Sequence, residues 1–244
     1  GEAGDARRGG RLSALMALYA LGDLHLALGA DKPMDVFGGK WAGYMDKLEA
    51  SLSVLRPEDT LVIAGDFCWA LGLEEAGPDF RFLNRFPGRK LLVKGNHDYW
   101  WNTAAKFRRF CEANGLEQMD LLHNNCHFYG EIALCGTRGW FFEEEKEGTH
   151  DEKVFRRELI RLETSLKAAG EKPIYCFLHY PPRYRGYTCP EILELLKRYR
   201  VRLCCYGHLH GDSHKLAMEG LWDGTEFRLV AADYVDFRPV RLLP

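Results

Sequence analysis

Short apolar runs that end directly in polar side chains recur along the 244-residue chain, and they constrain its fold more than any other feature. Runs of this kind precede Asp23, Asp66, Asn96, His179 and His208, and a glycine stands before each of these residues except His179. Apolar runs of this length predict buried strands, and segments with helical periodicity separate them. Strands that alternate with helices indicate an α/β fold.

We therefore predict an α/β sandwich of mixed sheets, of the four-layer α/β/β/α type. The tail, residues 213–243, predicts three antiparallel strands with turns near Gly220 and Gly224. The length fits one domain, which we place at residues 16–244. Residues 1–15 are rich in Gly, Arg and small side chains. They are predicted to be a disordered leader or an added extension before a natural start at Met16.

Composition narrows the class of protein. The formal net charge is -2, from 33 basic and 35 acidic side chains. This balance shows no clear basic stripe for nucleic acid, although it allows a local basic groove. No apolar stretch reaches the roughly 20 residues of a membrane helix. The eight cysteines form no CxxC pair and several lie in apolar runs, which favours buried free thiols and a cytoplasmic location.

The polar residues that follow the strands have the chemistry of metal ligands. In open α/β sheets, ligands bind beyond the carboxyl ends of the strands, so we expect these clusters to converge on one site there. Asp23 and His25, like His208 and His210, are two residues apart and therefore face the same way on an extended chain. Asp, Asn and His side chains suit Mn, Fe, Zn or Ni.

The order of these clusters resembles a known family. The blocks are DxH (Asp23, His25), GD (Asp66), GNHD (residues 95–98), a lone His179, and GHxH (residues 207–210). Together they resemble the calcineurin-like metallophosphoesterases, and the resemblance runs from about residue 19 to about residue 210. The family pattern often continues GDxxD or GDxxY, whereas Trp69 stands at the last position here. A ferric enzyme with a tyrosinate ligand is therefore disfavoured.

The resemblance implies a role for each residue of the site. Asp23, His25 and His210 would hold one metal ion, Asn96, His179 and His208 a second, and Asp66 would bridge the two. His97 would face the phosphate, and Asp98 would hydrogen-bond His97 and raise its pKa. The ions expected are two divalent transition metals, Mn first, with Fe, Zn, Ni or Co as alternatives.

Three further residues are candidates for binding the substrate, each with a structural alternative. Trp100 either packs under the following helix or forms a wall for an apolar group of the substrate. Arg138, flanked by glycines and aromatic residues, either forms a surface salt bridge or grips a phosphate or carboxylate. Arg183, which follows His179 closely, has the same two interpretations.

The function predicted is hydrolysis of a phosphomonoester or phosphodiester on a small phosphorylated substrate, by attack of a water activated between two metal ions. One alternative is a nuclease of the same fold. Another is a protein-binding scaffold that has lost catalysis, like the retromer subunit of this superfamily. A scaffold of that kind is expected to have lost ligands, whereas every ligand and His97 are present here.

Overall fold

The structure is a computed structural model, and it describes residues 16–142 and 149–244. The predicted leader, residues 1–15, lies outside the described residues. The strands are β1 (Leu18–Leu21), β2 (Thr60–Ala64), β3 (Arg89–Val93), β4 (Met119–Leu121), β5 (Cys126–Tyr129), β6 (Ile132–Thr137), β7 (Ile174–Leu178), β8 (Arg183–Tyr184), β9 (Tyr187–Thr188), β10 (Leu203–Tyr206), β11 (Gly220–Trp222), β12 (Thr225–Leu229) and β13 (Val240–Leu243). The helices are α1 (Tyr44–Leu52), α2 (Gly77–Asn84), α3 (Ala104–Asn114), α4 (Thr149–Lys167) and α5 (Pro190–Arg198), with 3-10 turns at Met34–Phe37, Gly39–Trp41 and Gly211–Leu216.

Two large mixed sheets form the centre of the fold. The first has the order β13-β1-β2-β3-β4, in which β1 to β4 are parallel and β13 is antiparallel to β1. The second has the order β11-β12-β10-β7-β6-β5, with a parallel centre from β12 to β6 and an antiparallel strand at each edge. The short strands β8 and β9 form a separate hairpin.

Alternate side chains of each strand enter different cores, because successive residues of a strand point to opposite faces. Leu18 and Ala20 pack between the sheets against Phe177, whereas Tyr19 and Leu21 pack on the side of α1. The far face of the second sheet packs against α4 and α5 through residues such as Leu162. The layers therefore run helix, sheet, sheet, helix, which confirms the predicted α/β/β/α sandwich of mixed sheets.

The prediction for the tail was wrong in its pairing. Strands β11 and β12 form the expected antiparallel hairpin, with the turn at Asp223 and Gly224. However, β12 runs parallel to β10, and β13 crosses to the other sheet and pairs with β1. Alternating apolar residues define a strand but not its partner, so the sequence pattern could not distinguish these pairings.

The cysteines behave as small apolar residues. All are free, and only Cys126 is not buried. None of the helices in the described part of the chain has both the length and the apolar composition of a membrane span.

Candidate metal centre

The carboxyl ends of the parallel strands deliver the predicted ligands to one place. Asp23 and His25 follow β1, Asp66 follows β2, Asn96 follows β3, and His179 follows β7. His208 and His210 follow β10. Short main-chain hydrogen bonds tie these loops together, for example from the N–H of Asp23 to the carbonyl of Gly65 over 2.9 Å. The predicted ligands therefore lie together at this edge of the sheets, as expected.

The backbone at this edge is strained. Asp23, His25, Asp66 and His208 have φ angles of 56°, 46°, 52° and 71°, in the left-handed region that residues with a Cβ rarely adopt. Each such residue costs about 1–3 kcal/mol and persists only where its surroundings hold it, which is common at functional sites. The strain therefore marks these four positions as a candidate site independently of their chemistry.

Asp23, His25 and His210 form a first group of close ligand atoms. The Nε2 atom of His210 lies 3.2 Å from Oδ1 of Asp23 and 3.4 Å from Nε2 of His25. With Asp66, these residues place one ligand atom each within 4.8 Å of one another. Asp23 and His25 are buried and His210 is half-buried.

Asn96, His179 and His208 form a second group. The Nε2 atom of His179 lies 2.8 Å from Oδ1 of Asn96, and its Nδ1 lies 3.0 Å from the carbonyl oxygen of Ala64. A carbonyl only accepts, so Nδ1 carries the proton and Nε2 presents its lone pair to the Asn96 oxygen. The ring of His208 packs edge-on against His179, with 5.2 Å between centroids.

Asp66 lies between the two groups. Its Oδ2 atom is 3.6 Å from Nε2 of His25 and 3.4 Å from Nε2 of His179. That oxygen is buried and has no hydrogen-bond partner among the described residues. A buried acceptor without a donor is costly. Here the carboxylate and the histidine nitrogens turn their lone pairs toward one another, an arrangement that suits a bound cation. The residues present therefore fit two metal ions that share Asp66.

The electrostatics of the metal-free site follow from burial. Burial lowers the pKa of His25 and of His208 to about 3, so both rings are neutral, as metal ligands must be. Burial also raises the pKa of Asp66, next to Asp23, well above its ordinary value. Burial alone would lower the pKa of His210, but the carboxylates of Asp23 and Asp233 outweigh it and raise that pKa to about 10.

The glycines before the ligands serve close approach more than chain turning. Gly65 has a φ of 85°, but Gly95 and Gly207 have no positive φ. A Cβ on Gly95 would overlap the Asp66 carboxylate and main-chain nitrogen, and one on Gly207 would overlap the Asp23 carboxylate. A Cβ on Gly65 would likewise overlap the His179 ring, so Gly65 is required both by its positive φ and by close approach, whereas close approach alone explains Gly95 and Gly207.

His97 and Asp98 do not form the predicted pair. The His97 ring lines the cleft beside the metal centre, and its Nδ1 atom is 3.3 Å from the hydroxyl of Tyr99. The Asp98 carboxylate is buried and instead accepts four hydrogen bonds of 2.7–2.9 Å. The donors are the main-chain N–H groups of Asp66, Phe67 and Gly95 and the indole N–H of Trp100. Asp98 therefore holds the loops after β2 and β3 together, because the turn directs its side chain under Asp66.

None of the three candidate substrate residues lines the cleft that contains His97. Trp100 is 1% exposed and packs in the core, so the packing alternative is correct and the substrate wall is wrong. The guanidinium of Arg183 lies over the ring of Trp222, 5.6 Å from its centroid. Arg138 supports the site through its carbonyl, which accepts from the N–H groups of His179 and Tyr180, and its contact with substrate stays a prediction.

Sequence reasoning missed Asp233. Its Oδ1 atom is 3.1 Å from Nδ1 of His210 and 3.3 Å from Nε2 of His214. Asp233 follows the apolar run that ends β12, and Gly22 forms a parallel bridge with Ala231 in that extension. The rule that placed the predicted ligands would have placed Asp233 at the same edge too, had the tail been predicted as parallel to β10.

Comparisons with known proteins agree with this geometry. The family model described as calcineurin-like phosphoesterase matches residues 16–212. The phosphopantetheinyl hydrolase PptH from Mycobacterium tuberculosis has a similar structure, with a TM-score of 0.60 at 15% identity over 95% of this chain and 97% of that one. The protein of unknown function AQ665 from Aquifex aeolicus also has a similar structure, with a TM-score of 0.52 at 18% identity over 93% of this chain and 95% of that one. These two likenesses show a shared fold. The comparison with curated proteins found no match. Because this family model matches most of its length, the chain belongs to the calcineurin-like phosphoesterase family.

Proposed function

We propose that the chain is a phosphohydrolase that uses two divalent transition-metal ions, Mn first among them, to hydrolyse a phosphomonoester or phosphodiester. Asp23, His25 and His210 would hold one ion, the second group defined above would hold the other, and Asp66 would bridge them. The observation that carries the proposal is the buried Oδ2 atom of Asp66, 3.6 Å from His25 and 3.4 Å from His179, without a hydrogen-bond partner among the described residues.

When bound, the two ions would lower the pKa of a water nucleophile and supply positive charge for the phosphoryl oxygens. The carboxylates of Asp23 and Asp66 offset only half of the four positive charges, and the remaining side chains of both groups are neutral ligands. The site would therefore attract a phosphate dianion or diester and stabilise the charge that develops in the transition state.

His97 is proposed to act on the substrate directly. Its ring lines the cleft next to the candidate ligands, 5.9 Å from the ring of His25 between centroids. Its main-chain N–H is anchored on Oδ1 of Asp66 over 2.9 Å, so the ring position is tied to the metal centre. From this position its role would be to donate a hydrogen bond to a phosphoryl oxygen or a proton to the leaving oxygen. Burial lowers the pKa of His97, which favours the neutral ring and hence the hydrogen bond.

The extent and location of the enzyme belong to the same proposal. We treat residues 16–244 as one catalytic domain, which is supported by the pairing of β13, at the end of the chain, with β1. A cytoplasmic location is supported by the free, mostly buried cysteines.

The test is hydrolysis of bis-p-nitrophenyl phosphate and p-nitrophenyl phosphate by chelated protein to which Mn, Ni, Co, Zn or Mg is restored. The variants are Asp66→Asn, His97→Ala and, as a control, Asp223→Asn, an exposed aspartate whose φ of 50° matches the 52° of Asp66. We expect metal-dependent turnover that Asp66→Asn abolishes and Asp223→Asn retains. His97→Ala should keep its metal and lose about 10²–10⁴-fold in kcat.

Two results would redirect the proposal. Faster cleavage of single- or double-stranded DNA than of either small ester would favour the nuclease. Absence of turnover with every metal, in protein that is folded, would favour the non-catalytic scaffold.

A further inference from the structure

A cavity of about 700 Å³ opens directly beside the candidate metal ligands. Its lining includes His25, Asp66, His97 and His210 of the candidate site. The two 3-10 turns between β1 and α1 add Met34, Phe37, Lys40 and Trp41 to the lining. A cavity of this size holds a ligand much larger than a phosphate group.

The wall nearest the metal centre is aromatic. The ring of Trp69 stacks on His25 with 4.8 Å between centroids and 26° between planes. Trp41 meets His25 edge-on, with 5.9 Å between centroids. Trp41 is half-buried and keeps part of its surface open, whereas His25, His97 (4.6 Å between centroids) and the Lys32 ammonium already occupy the Trp69 ring. Phe37 is 66% exposed on the same wall. Indole and phenyl surfaces of this kind favour a planar aromatic partner over a flexible chain, through offset or edge contacts.

Two lysines give the cavity positive charge. The Nζ atom of Lys32 lies 3.9 Å from the centroid of the Trp69 ring, and Lys40 also lines the cavity. The carboxylates among the lining residues are Asp66 and Asp233, and both lie at the histidines of the metal centre. Lys32 and Lys40 are therefore placed for an anionic group of a ligand seated on the aromatic wall.

We infer that the substrate is a phosphoester whose other substituent is a planar aromatic ring with a second anionic group. The phosphate would lie at the metal centre, the ring on Trp41 and Phe37, and the second anion at Lys40 and at Lys32, which lies over Trp69. This inference rests on the proposed phosphoesterase function and names the class of substrate for that site.

Non-hydrolysable phosphonates test the inference by binding alone. Isothermal titration calorimetry on the Mn²⁺-loaded protein would compare inorganic phosphate with methyl-, cyclohexyl-, phenyl- and 4-carboxyphenylphosphonate. We expect phenylphosphonate to bind about tenfold more tightly than methylphosphonate, with the cyclohexyl compound between them. The added carboxylate should strengthen binding further, and high salt should weaken that gain.

Variants of Phe37 and Lys32, which line the cavity, locate the effect without touching the candidate metal ligands. Phe37→Ala should lower affinity for phenylphosphonate several-fold and leave inorganic phosphate unchanged, while Phe128→Ala, an exposed phenylalanine on β5, should change neither. Lys32→Met should remove most of the gain from the carboxylate, and Lys197→Met on α5 should not.

The outcomes separate this inference from the proposed function. Equal affinity for methyl-, cyclohexyl- and phenylphosphonate, with inorganic phosphate still bound, would overturn the aromatic subsite alone. Binding of cyclohexylphosphonate as tight as that of phenylphosphonate would also overturn the aromatic subsite. Failure of the Mn²⁺-treated protein to bind inorganic phosphate at all would overturn the proposed function, and this inference with it.

Discussion

His210 and Asp233 form a hydrogen-bonded pair, with 3.1 Å between Nδ1 of the ring and Oδ1 of the carboxylate. The other carboxylate oxygen accepts from the main-chain N–H of Gly211 over 3.2 Å, and Asp233 is 3% exposed. The ring is therefore fixed with Nε2 toward Asp23, 3.2 Å away. Carboxylates that orient a metal-binding histidine in this way contribute strongly to metal affinity.

Replacing Asp233 should weaken metal binding without removing a ligand. We expect Asp233→Asn to lower Mn²⁺ affinity by about 10–100-fold, measured by competition with a chelating dye. Asp236→Asn is the matched control, because its side chain is 61% exposed and pairs with Lys47 over 3.6 Å at the surface. Equal Mn²⁺ affinity in wild type and Asp233→Asn would contradict the orienting role.

Asp98 should act on stability more than on the chemical step. The amide of Asp98→Asn can no longer accept every N–H that the carboxylate now accepts, and an unsatisfied buried donor costs about 1–3 kcal/mol. We expect the free energy of unfolding of metal-free protein to fall by about 2 kcal/mol in urea. His97→Ala, at the neighbouring position, should leave it nearly unchanged. Unaltered stability in Asp98→Asn would contradict the role of Asp98 in holding the loops after β2 and β3 together.

Gly95 should tolerate no side chain. A Cβ there would overlap Asp66, whose backbone is already held in the left-handed region. Gly95→Ala should therefore lose metal retention and about 1–3 kcal/mol of stability. Gly72→Ala is the matched control, since no described heavy atom lies within 4 Å of its added Cβ and its φ is not positive. Metal content equal in the two variants would contradict the close approach at Gly95.

His123 should make the metal-free protein less stable in acid. Its Nδ1 atom is buried with no hydrogen-bond partner among the described residues, and its ring contacts Trp101. Burial, with the nearby cations of Arg161, Lys94 and Arg138, lowers its pKa from 6.5 to about 4. Between pH 6.5 and about pH 4 the unfolded chain binds more protons than the folded chain does. The stability that the neutral His123 contributes is therefore present above the unfolded pKa of 6.5 and is lost as the pH falls toward 4.

The measurement for His123 compares the thermal unfolding of wild type and His123→Gln at pH 7.5 and pH 5, both with chelator. Glutamine cannot take a proton in this range. The fall in Tm between the two pH values should therefore be larger in wild type, by about 2 °C or more. Falls of equal size would show that His123 contributes nothing to the acid sensitivity.

The positions of the predicted ligands could be deduced from the sequence because a local rule governs them. A polar residue after a buried parallel strand must lie at the edge of the sheet, so Asp23, Asp66 and Asn96 could be placed without knowing their neighbours. Residue identity also indicated metal chemistry. The layers of the fold followed from alternating strands and helices for the same reason.

Side-chain direction and strand pairing could not be predicted in this way. The GNHD block shows which residues are present but not that Asp98 turns under Asp66, where it meets four donors. Asp233 was missed because the partner of β12 lies beyond any local pattern. Trp41 and Phe37 reach the cavity from two 3-10 turns, which have no periodicity to reveal a buried side.

The central claim, two metal ions that share Asp66, is tested most directly by metal content. Chelated protein would be reloaded with Mn²⁺, passed through a desalting column and analysed by mass spectrometry, as wild type, Asp66→Asn and Asp223→Asn. The account predicts about two ions per chain in wild type and in Asp223→Asn, and no more than one in Asp66→Asn. One ion or none in wild type, or the same content in Asp66→Asn as in wild type, would contradict it.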